Sequence, residues 1–161
     1  MISRLGNTVF ISREKSSADV QIDLLEKELL KRKIPLIIFP EGTSSEGNEV
    51  LPFKSSMFYM FEKYMKSNLD LSDNIQIQPI SIAYTYNGKE KLNRETRKTY
   101  AWYIKEQSLT DHLINALKHS PFTLEIIIHD PVNIKEFNNR KDLSCHCRNI
   151  VEKGFNDLLL K

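Results

Sequence analysis

The chain has few of the residues that would assign it to a specialised class of protein. Its 161 residues include 2 cysteines, Cys145 and Cys147, and this spacing is too short for a routine structural disulfide. A disulfide framework is therefore not expected, and a reducing compartment fits. No apolar run approaches the roughly 20 residues that cross a bilayer, and no signal-peptide core follows Arg4. A net charge of only +2 does not by itself point to nucleic acid.

What the sequence does contain is the ordinary balance of one globular domain. Hydrophobic residues make up 40% and charged residues 27%, and the length leaves little room for a second domain. Glycine and proline, at 5 and 6 residues, are clustered and punctuate the chain into alternating elements. We find no internal repeat and no low-complexity tract, so a repeat architecture is not expected.

Helix and strand patterns alternate along the chain. Apolar residues at helical spacing predict helices at residues 19–33, 53–65, 109–118 and 141–160. Apolar runs predict strands at residues 9–11, 36–39, 75–84 and 124–128. The run at residues 36–39 is continuous rather than alternating, which favours a strand buried on both faces. The alternation predicts an α/β fold in which helices cover both faces of a sheet.

The most informative segment is the polar loop between the strand at residues 36–39 and the second helix. Its glycine allows close backbone approach, its hydroxyls donate hydrogen bonds, and Lys54 adds a cation. Ligands of α/β sheets collect at the carboxyl ends of strands, and a following helix offers unpaired N–H groups to an anion. Glu41 is predicted either to orient an acceptor hydroxyl or to anchor the loop. The residues alone indicate a site for a phosphorylated or hydroxylated small molecule, or else a surface turn.

The sequence Phe-Pro-Glu-Gly-Thr at residues 39–43 resembles the acceptor-binding motif of the glycerolipid acyltransferases, the lysophosphatidate acyltransferases. Three further segments resemble the family's other blocks in the right order, at residues 6–13, 52–58 and 77–82. The segments at residues 100–103 and 129–132 resemble bacterial members. The resemblance covers essentially the whole chain. It implies a mixed, largely parallel sheet flanked by helices.

The resemblance also implies roles for particular side chains. Arg13 would contact phosphate through its guanidinium fork, although without the motif it reads as a solvated arginine beside Glu14. The implied acceptor- and phosphate-binding residues are Arg13, Glu41, Gly42, Thr43, Ser44 and Lys54. The implied pocket-shaping residues are Phe39, Pro40, Phe53 and Pro79. On its own, Pro79 would be a strand proline at an edge or bulge.

In this family an acyl group passes from acyl-CoA or acyl carrier protein to the free hydroxyl of a lysophospholipid, a step of phospholipid biosynthesis. The acyl donor is a substrate, so no cofactor and no metal are expected. The resemblance implies a cytoplasmic protein held peripherally at the inner face of the membrane. It admits a separate chain carrying the amino-terminal half as a partner, and nucleic acid is not an expected partner.

The family's catalytic signature, a histidine followed five positions later by an aspartate, is absent. In the family this histidine is the general base that acts on the acceptor hydroxyl. The 4 histidines of the chain are His112, His119, His129 and His146. The residues five positions after them are Leu117, Leu124, Ile134 and Val151, in that order.

No catalytic residue is therefore assigned. We expect residues 1–161 to be a single, incomplete acyltransferase domain whose amino-terminal part is missing and which is inactive alone. The alternative is a non-catalytic lipid- or phosphate-binding remnant of such an enzyme. His146, between the two cysteines, does not predict a metal site, because consecutive helical positions point their side chains apart.

A basic stretch with aromatic neighbours lies at residues 89–105. Its basic residues are Lys89, Lys91, Arg94, Arg97, Lys98 and Lys105, and its aromatic residues are Tyr100, Trp102 and Tyr103. Cations attract anionic lipid, and tyrosine and tryptophan favour the membrane interface. The pattern fits equally a lipid-facing surface and a solvated basic loop whose aromatic rings belong to the core.

Overall fold

The structure, a computed structural model, describes residues 35–65, 75–104, 108–119 and 121–161. The elements predicted at residues 9–11 and 19–33, and Arg13, lie outside the described residues. The described helices are α1 (Tyr59–Met65), α2 (Arg94–Arg97), α3 (Leu109–Lys118) and α4 (Arg140–Leu160). The described strands are β1 (Gln76–Ile77), β2 (Ile80–Asn87), β3 (Glu90–Lys91), β4 (Phe122–Ile128) and β5 (Val132–Asn133). Short 3-10 turns precede α1, follow α2 and precede α4.

Helices and strands mix as expected of an α/β fold, but the prediction of a largely parallel sheet is wrong for the described strands. β2 lies between β3 and β4, and both neighbours run antiparallel to it. β1 and β5 form a separate antiparallel pair. The local cause at β2 and β3 is a tight turn through Gly88, whose φ of 58° brings Glu90 opposite Asn87. So short a connection joins only antiparallel strands.

Residues 36–39 do not form the predicted strand buried on both faces. Leu36 and Ile38 pack against the core, whereas Ile37 and Phe39 are 76% and 74% exposed. The segment forms no ladder with another described strand. Extended backbone sends successive side chains to opposite sides, so a continuous apolar run here alternates between core and surface.

The other predictions within the described segments are confirmed to within a few residues. α3 begins and ends where the spacing predicts, and Ser108 caps it by accepting a hydrogen bond from the Asp111 N–H. α4 begins at Arg140, because Asn139 accepts two backbone N–H groups of the first turn. The second predicted helix forms as a 3-10 turn that runs into α1. The strand predicted at residues 75–84 forms as β1 and β2, with buried Pro79 between them.

The largest described buried cluster joins α1, β5 and α4, and a second cluster lies between the sheet and α4. On the covered face of β2, Ser81, Ala83 and Thr85 are buried, and Ala83 belongs to a cluster with Phe155 and Leu158 of α4. The opposite face carries five aliphatic side chains that are 41% to 67% exposed, Ile80, Ile82, Leu124, Ile126 and Ile128. Among the described helices, none has the length and apolar character needed to cross a bilayer.

Helix α4 lies very close to Ser81 of the sheet and to His129 at Gly154. Fully buried Ser81 donates its hydroxyl proton to the Val151 carbonyl at 2.8 Å, and its Oγ lies 2.8 Å from His129 Nε2. Because a hydroxyl carries one proton, the Nε2–H of His129 is the donor in the second bond. A Cβ at Gly154 would lie 2.5 Å from the His129 ring and 2.6 Å from Ser81 Oγ. The absence of a side chain at Gly154 is therefore what allows this contact.

Candidate functional site

The polar loop at residues 40–54 is closed by hydrogen bonds between its two ends. The Lys54 N–H donates to the Pro40 carbonyl at 2.8 Å, and the Leu51 N–H donates to Glu41 Oε2 at 3.0 Å. These two bonds bring the Pro-Glu-Gly segment beside the residues that lead into α1. The structure thus places Pro40, Glu41 and Lys54 close together.

Gly42 supplies the conformation and the space that this arrangement needs. Its φ is 64°, a region that other residues rarely adopt. A Cβ at this position would lie 2.8 Å from Lys54 Nζ and 3.0 Å from Lys54 Cδ, so the lysine side chain lies across the glycine. The lysine side chain therefore occupies the space that a side chain at residue 42 would fill, and its ammonium group lies beside the Gly42 backbone.

Glu41 anchors the loop, one of the two roles predicted for it. Its carboxylate accepts the Leu51 N–H, which lies 10 residues away in the chain. Burial raises the pKa of the Glu41 carboxyl above its ordinary value of 4.5, and the bond from Leu51 and the charge of Arg148 oppose this shift only in part. A raised pKa means that ionisation of Glu41 costs stability, and this cost grows as the pH rises through the raised pKa.

Replacing Glu41 separates its hydrogen bond from its charge. Glu41→Gln retains an oxygen that accepts the Leu51 N–H, so we expect its free energy of unfolding at pH 7 to lie within about 0.5 kcal/mol of the original. Glu41→Ala leaves the amide of Leu51 without its acceptor and is expected to cost about 1 kcal/mol. Urea denaturation measures both, and exchange of the Leu51 amide should accelerate only in Glu41→Ala. Equal exchange in the two variants would contradict an anchoring role.

The second half of the loop is held by Arg97, one of the basic residues of the stretch at residues 89–105. Arg97 is only 5% exposed, so it does not belong to a surface. Its guanidinium donates to the carbonyls of Tyr84 and Leu92 and to Asn48 Oδ1 at 2.8–3.0 Å. Asn48 also donates to the Arg94 carbonyl. Asn48 of the loop is thereby bound to α2 and, through Arg97, to the sheet. The composition of residues 89–105 does not predict these contacts.

Helix α4 holds the end of the loop through Arg148. This side chain donates to the Val50 carbonyl at 3.1 Å and forms a two-bond pair with Glu152 at 2.7 and 2.9 Å. Val50 itself is buried beside Ala83. The loop is consequently fixed at three places, at its own ends, on α2 and on α4, which makes it a preformed feature rather than a simple surface turn.

The remaining predicted site residues differ in their surroundings. Thr43 and Ser44 are exposed at the tip of the loop, and Phe39 is exposed just before it. Phe53 is half-buried, and its ring stacks on that of Phe58 with centroids 6.4 Å apart. Pro79 is buried, and its carbonyl accepts the His129 N–H at 3.1 Å.

The four histidines lie outside the acceptor loop. His129 bonds to Ser81, the His146 ring lies 5.0 Å from that of Phe137, and His112 and His119 line an open cleft beside α3. Burial raises the pKa of the Cys147 thiol to about 11, so this cysteine is not a thiolate at neutral pH. Within the described ranges, no group of three or more His, Cys, Asp or Glu residues is arranged to hold a metal ion.

The comparisons with known proteins agree on one family. The model of the Acyltransferase family matches residues 1–83. A lyso-ornithine lipid O-acyltransferase of Rhodobacter capsulatus is 32% identical over 95% of this chain and 51% of its own length. A lyso-ornithine lipid O-acyltransferase of Rhizobium meliloti is 27% identical over 99% of this chain and 53% of its own length.

A 1-acyl-sn-glycerol-3-phosphate acyltransferase of Salmonella typhimurium is 24% identical over 95% of this chain and 49% of its own length. The chain therefore spans about half the length of these curated relatives. No solved structure matches it. The family match includes the whole of residues 39–54, so the anchored loop lies inside the segment that the family shares.

Proposed function

Since this chain belongs to the Acyltransferase family, we propose that the loop at residues 40–54 binds a lysolipid acceptor during acyl transfer to its free hydroxyl. The observation that carries this proposal is a change from apolar to polar exposed side chains along one short segment. Exposed Ile37 and Phe39 lead directly into exposed Thr43 and Ser44, with Lys54 across Gly42. An amphiphile has the same two parts, an acyl chain for the apolar side chains and a polar head for the loop.

The loop performs binding and positioning in this proposal. The acceptor hydroxyl oxygen attacks the carbonyl carbon of an acyl thioester, the carbon–sulfur bond breaks, and the hydroxyl proton passes to a base. Thr43, Ser44 and Lys54 offer donors to the head group of the acceptor. Glu41 holds the loop in one conformation through its hydrogen bond with Leu51. A fixed loop keeps the donors oriented toward the acceptor, which favours the reaction.

The named relatives supply the candidate acceptors. They act on a lyso-ornithine lipid or on 1-acyl-sn-glycerol-3-phosphate, and we propose a lysolipid of one of these kinds. The donor is acyl-CoA or acyl carrier protein, and Arg13 would contact phosphate in a phosphate-bearing acceptor. We place the protein at the cytoplasmic face of the membrane, where such acceptors are presented. Phe39, Pro40, Phe53 and Pro79 would shape the pocket.

This chain does not contain the family's histidine–aspartate pattern, which provides the general base. None of its 4 histidines is followed five positions later by aspartate. We propose that the chain alone binds the acceptor but turns over poorly, with a separate amino-terminal segment or chain providing the base. A non-catalytic lipid-binding role is the second candidate, and the same missing signature favours it.

Transfer and binding are measured separately to test this proposal. The purified chain is incubated with radiolabelled acyl-CoA or acyl carrier protein and each lysolipid, beside a full-length relative. We expect about 0.1% of the relative's turnover or less, because loss of a general base typically costs 10²–10⁴-fold. Binding of lysolipid without turnover supports the proposal. Turnover near that of the relative would show that the chain has its own base.

A further inference from the structure

A polar cleft lies between helix α3 and the segment at residues 98–104. Its volume is about 320 Å³, at the lower end of the roughly 300–1,000 Å³ that small-molecule sites occupy. Its walls are joined by two contacts, because Ala116 of α3 shares a buried cluster with Tyr100, and the Tyr100 hydroxyl donates to the His119 carbonyl at 3.0 Å. The cleft is therefore a preformed feature whose size suits a slender ligand.

Most of the side chains that line this cleft form hydrogen bonds in an uncharged state. Helix α3 contributes His112, Asn115 and His119, which lie on one side of the helix because they are three and four positions apart. The facing segment contributes Thr99 and Tyr103. Each of these groups both donates and accepts hydrogen bonds in its neutral form. The lining is thus suited to a ligand that carries donors and acceptors of its own.

His112 gives independent evidence for a ligand, because its imidazole is buried without a partner. The residue is only 8% exposed, and within the part of the chain that the structure describes its ring nitrogens have no hydrogen-bond partner. Among those residues, the unpaired side-chain atoms that are fully enclosed belong to Thr85, Glu125 and Arg148, so the ring nitrogens of His112 retain access to solvent. Since buried polar groups are normally paired, an unpaired imidazole at a cleft indicates a ligand that completes it.

The charge of the cleft favours a neutral ligand. Lys98 is the charged residue of the lining, and its ammonium group lies 3.1 Å from Glu46 and 3.3 Å from Glu95. Two carboxylates therefore already balance this cation, which leaves it little attraction for a free anion. Amide and hydroxyl groups match the remaining lining better, because they donate and accept hydrogen bonds without a net charge.

The cleft adjoins the loop at residues 40–54, the proposed acceptor site. Glu46, which pairs with Lys98 of the cleft, belongs to this loop. A Cβ at Gly47 would lie 3.4 Å from the Cβ of Ala101, so the loop also contacts the segment that forms one wall of the cleft. Neighbouring sites hold two substrates close to each other, as transfer of a group between them requires.

We propose that this cleft binds the pantetheine arm of the acyl donor. Acyl-CoA and acyl carrier protein both carry the acyl group as a thioester on this arm, which is slender and contains two amides and a hydroxyl. His112, Tyr103 and Asn115 bond to these groups, and Ile104, which also lines the cleft, contacts the methylene groups between them. The inference rests on the proposed function, because it gives the donor a place beside the acceptor.

Titration of the isotope-labelled chain with pantetheine and with CoA tests this site, with amide chemical shifts as the readout. We expect saturating shifts at residues 98–104 and in α3 with both compounds. Inorganic phosphate and adenosine 3′,5′-bisphosphate are the controls, because they contain the charged parts of CoA without the arm. We expect neither to produce these shifts.

Matched variants connect the binding to particular side chains. Tyr103→Phe/Asn115→Ala removes two hydrogen-bonding groups from the cleft, and Tyr59→Phe/Asn149→Ala makes the same changes on α1 and α4, outside it. We expect the affinity for pantetheine to fall about tenfold in the cleft variant and to stay unchanged in the control variant. The titration of the unchanged chain stands on its own if a variant does not fold.

Three results would overturn the proposal. They are no shifts at the cleft with pantetheine, equal shifts there with adenosine 3′,5′-bisphosphate, and equal affinity for pantetheine in a folded cleft variant and in the unchanged chain. The second result would assign the cleft to a phosphate or nucleotide instead of the arm. Failure here is distinct from failure of the proposed function, because binding of a short-chain lysolipid to residues 40–54 is measured without any donor.

Discussion

Gly154→Ala is expected to destabilise the protein by about 3 kcal/mol, although alanine is the better helix former. In the middle of a helix, glycine to alanine normally stabilises by up to about 1 kcal/mol. Here the added Cβ would lie 2.5 Å from the His129 ring and 2.6 Å from Ser81 Oγ. Either α4 must move away from β2, or the hydrogen bonds of buried Ser81 must break.

The sign of the change in the free energy of unfolding shows whether the close contact or the helix propensity of alanine dominates. Urea denaturation and thermal melting measure it, and a loss of this size lowers Tm by about 6–12 °C in a protein of this length. Gly88→Ala is the control, because nothing lies within 4 Å of a Cβ there and only the φ of 58° opposes it. We expect about 1 kcal/mol from that strain. A Gly154→Ala variant more stable than the original would show that α4 does not pack on Ser81 and His129 as described.

Arg97→Ala has the second largest expected effect, about 3 kcal/mol. Its guanidinium donates to the carbonyls of Tyr84 and Leu92 and to Asn48, and alanine leaves these acceptors without their donor in a buried place. Burial lowers the pKa of Arg97, with a smaller contribution from Arg94, yet a guanidinium remains charged at any physiological pH. Loss of its bond to Asn48 also releases the second half of the acceptor loop.

Arg94 provides the matched control on the same short helix. Arg94 is exposed and its positive charge disfavours the charge of Arg97, so Arg94→Ala should change the free energy of unfolding by less than about 0.5 kcal/mol. Arg97→Lys should recover only part of the loss, because an ammonium group cannot reach three acceptors in the fork geometry of a guanidinium. Equal stability of Arg97→Ala and Arg94→Ala would contradict the account of how the loop is held.

Several elements can be predicted from the sequence because the residues that determine them lie close together in the chain. The stripe of Leu109, Leu113 and Leu117 marks α3, and Ser108 and Asn139 are the kind of residue that begins a helix. The acceptor loop is equally visible, since Gly42 and Pro40 act within a few residues of each other. A positive φ at a glycine is a local requirement, and the sequence shows it directly.

Properties that depend on distant partners are not visible in the sequence. Strand direction depends on which segments meet, and the largely parallel sheet that the resemblance implies is not found where β2 and β4 pair antiparallel. Burial of Ile37 and Phe39 depends on what covers the second side of their segment. Arg97 reads as a surface cation because its partners Asn48 and Tyr84 lie 49 and 13 residues away. Charge composition alone does not separate it from exposed Arg94.

Residues 40–54 form the proposed lysolipid acceptor site. Titration of the isotope-labelled chain with a short-chain lysolipid below its micelle concentration tests it directly, with amide chemical shifts as the readout. We expect the largest shifts at Gly42, Thr43 and Ser44, and their loss in Gly42→Val, where a side chain would displace Lys54. Saturating shifts confined to another part of the chain, or no shifts at all, would contradict the claim.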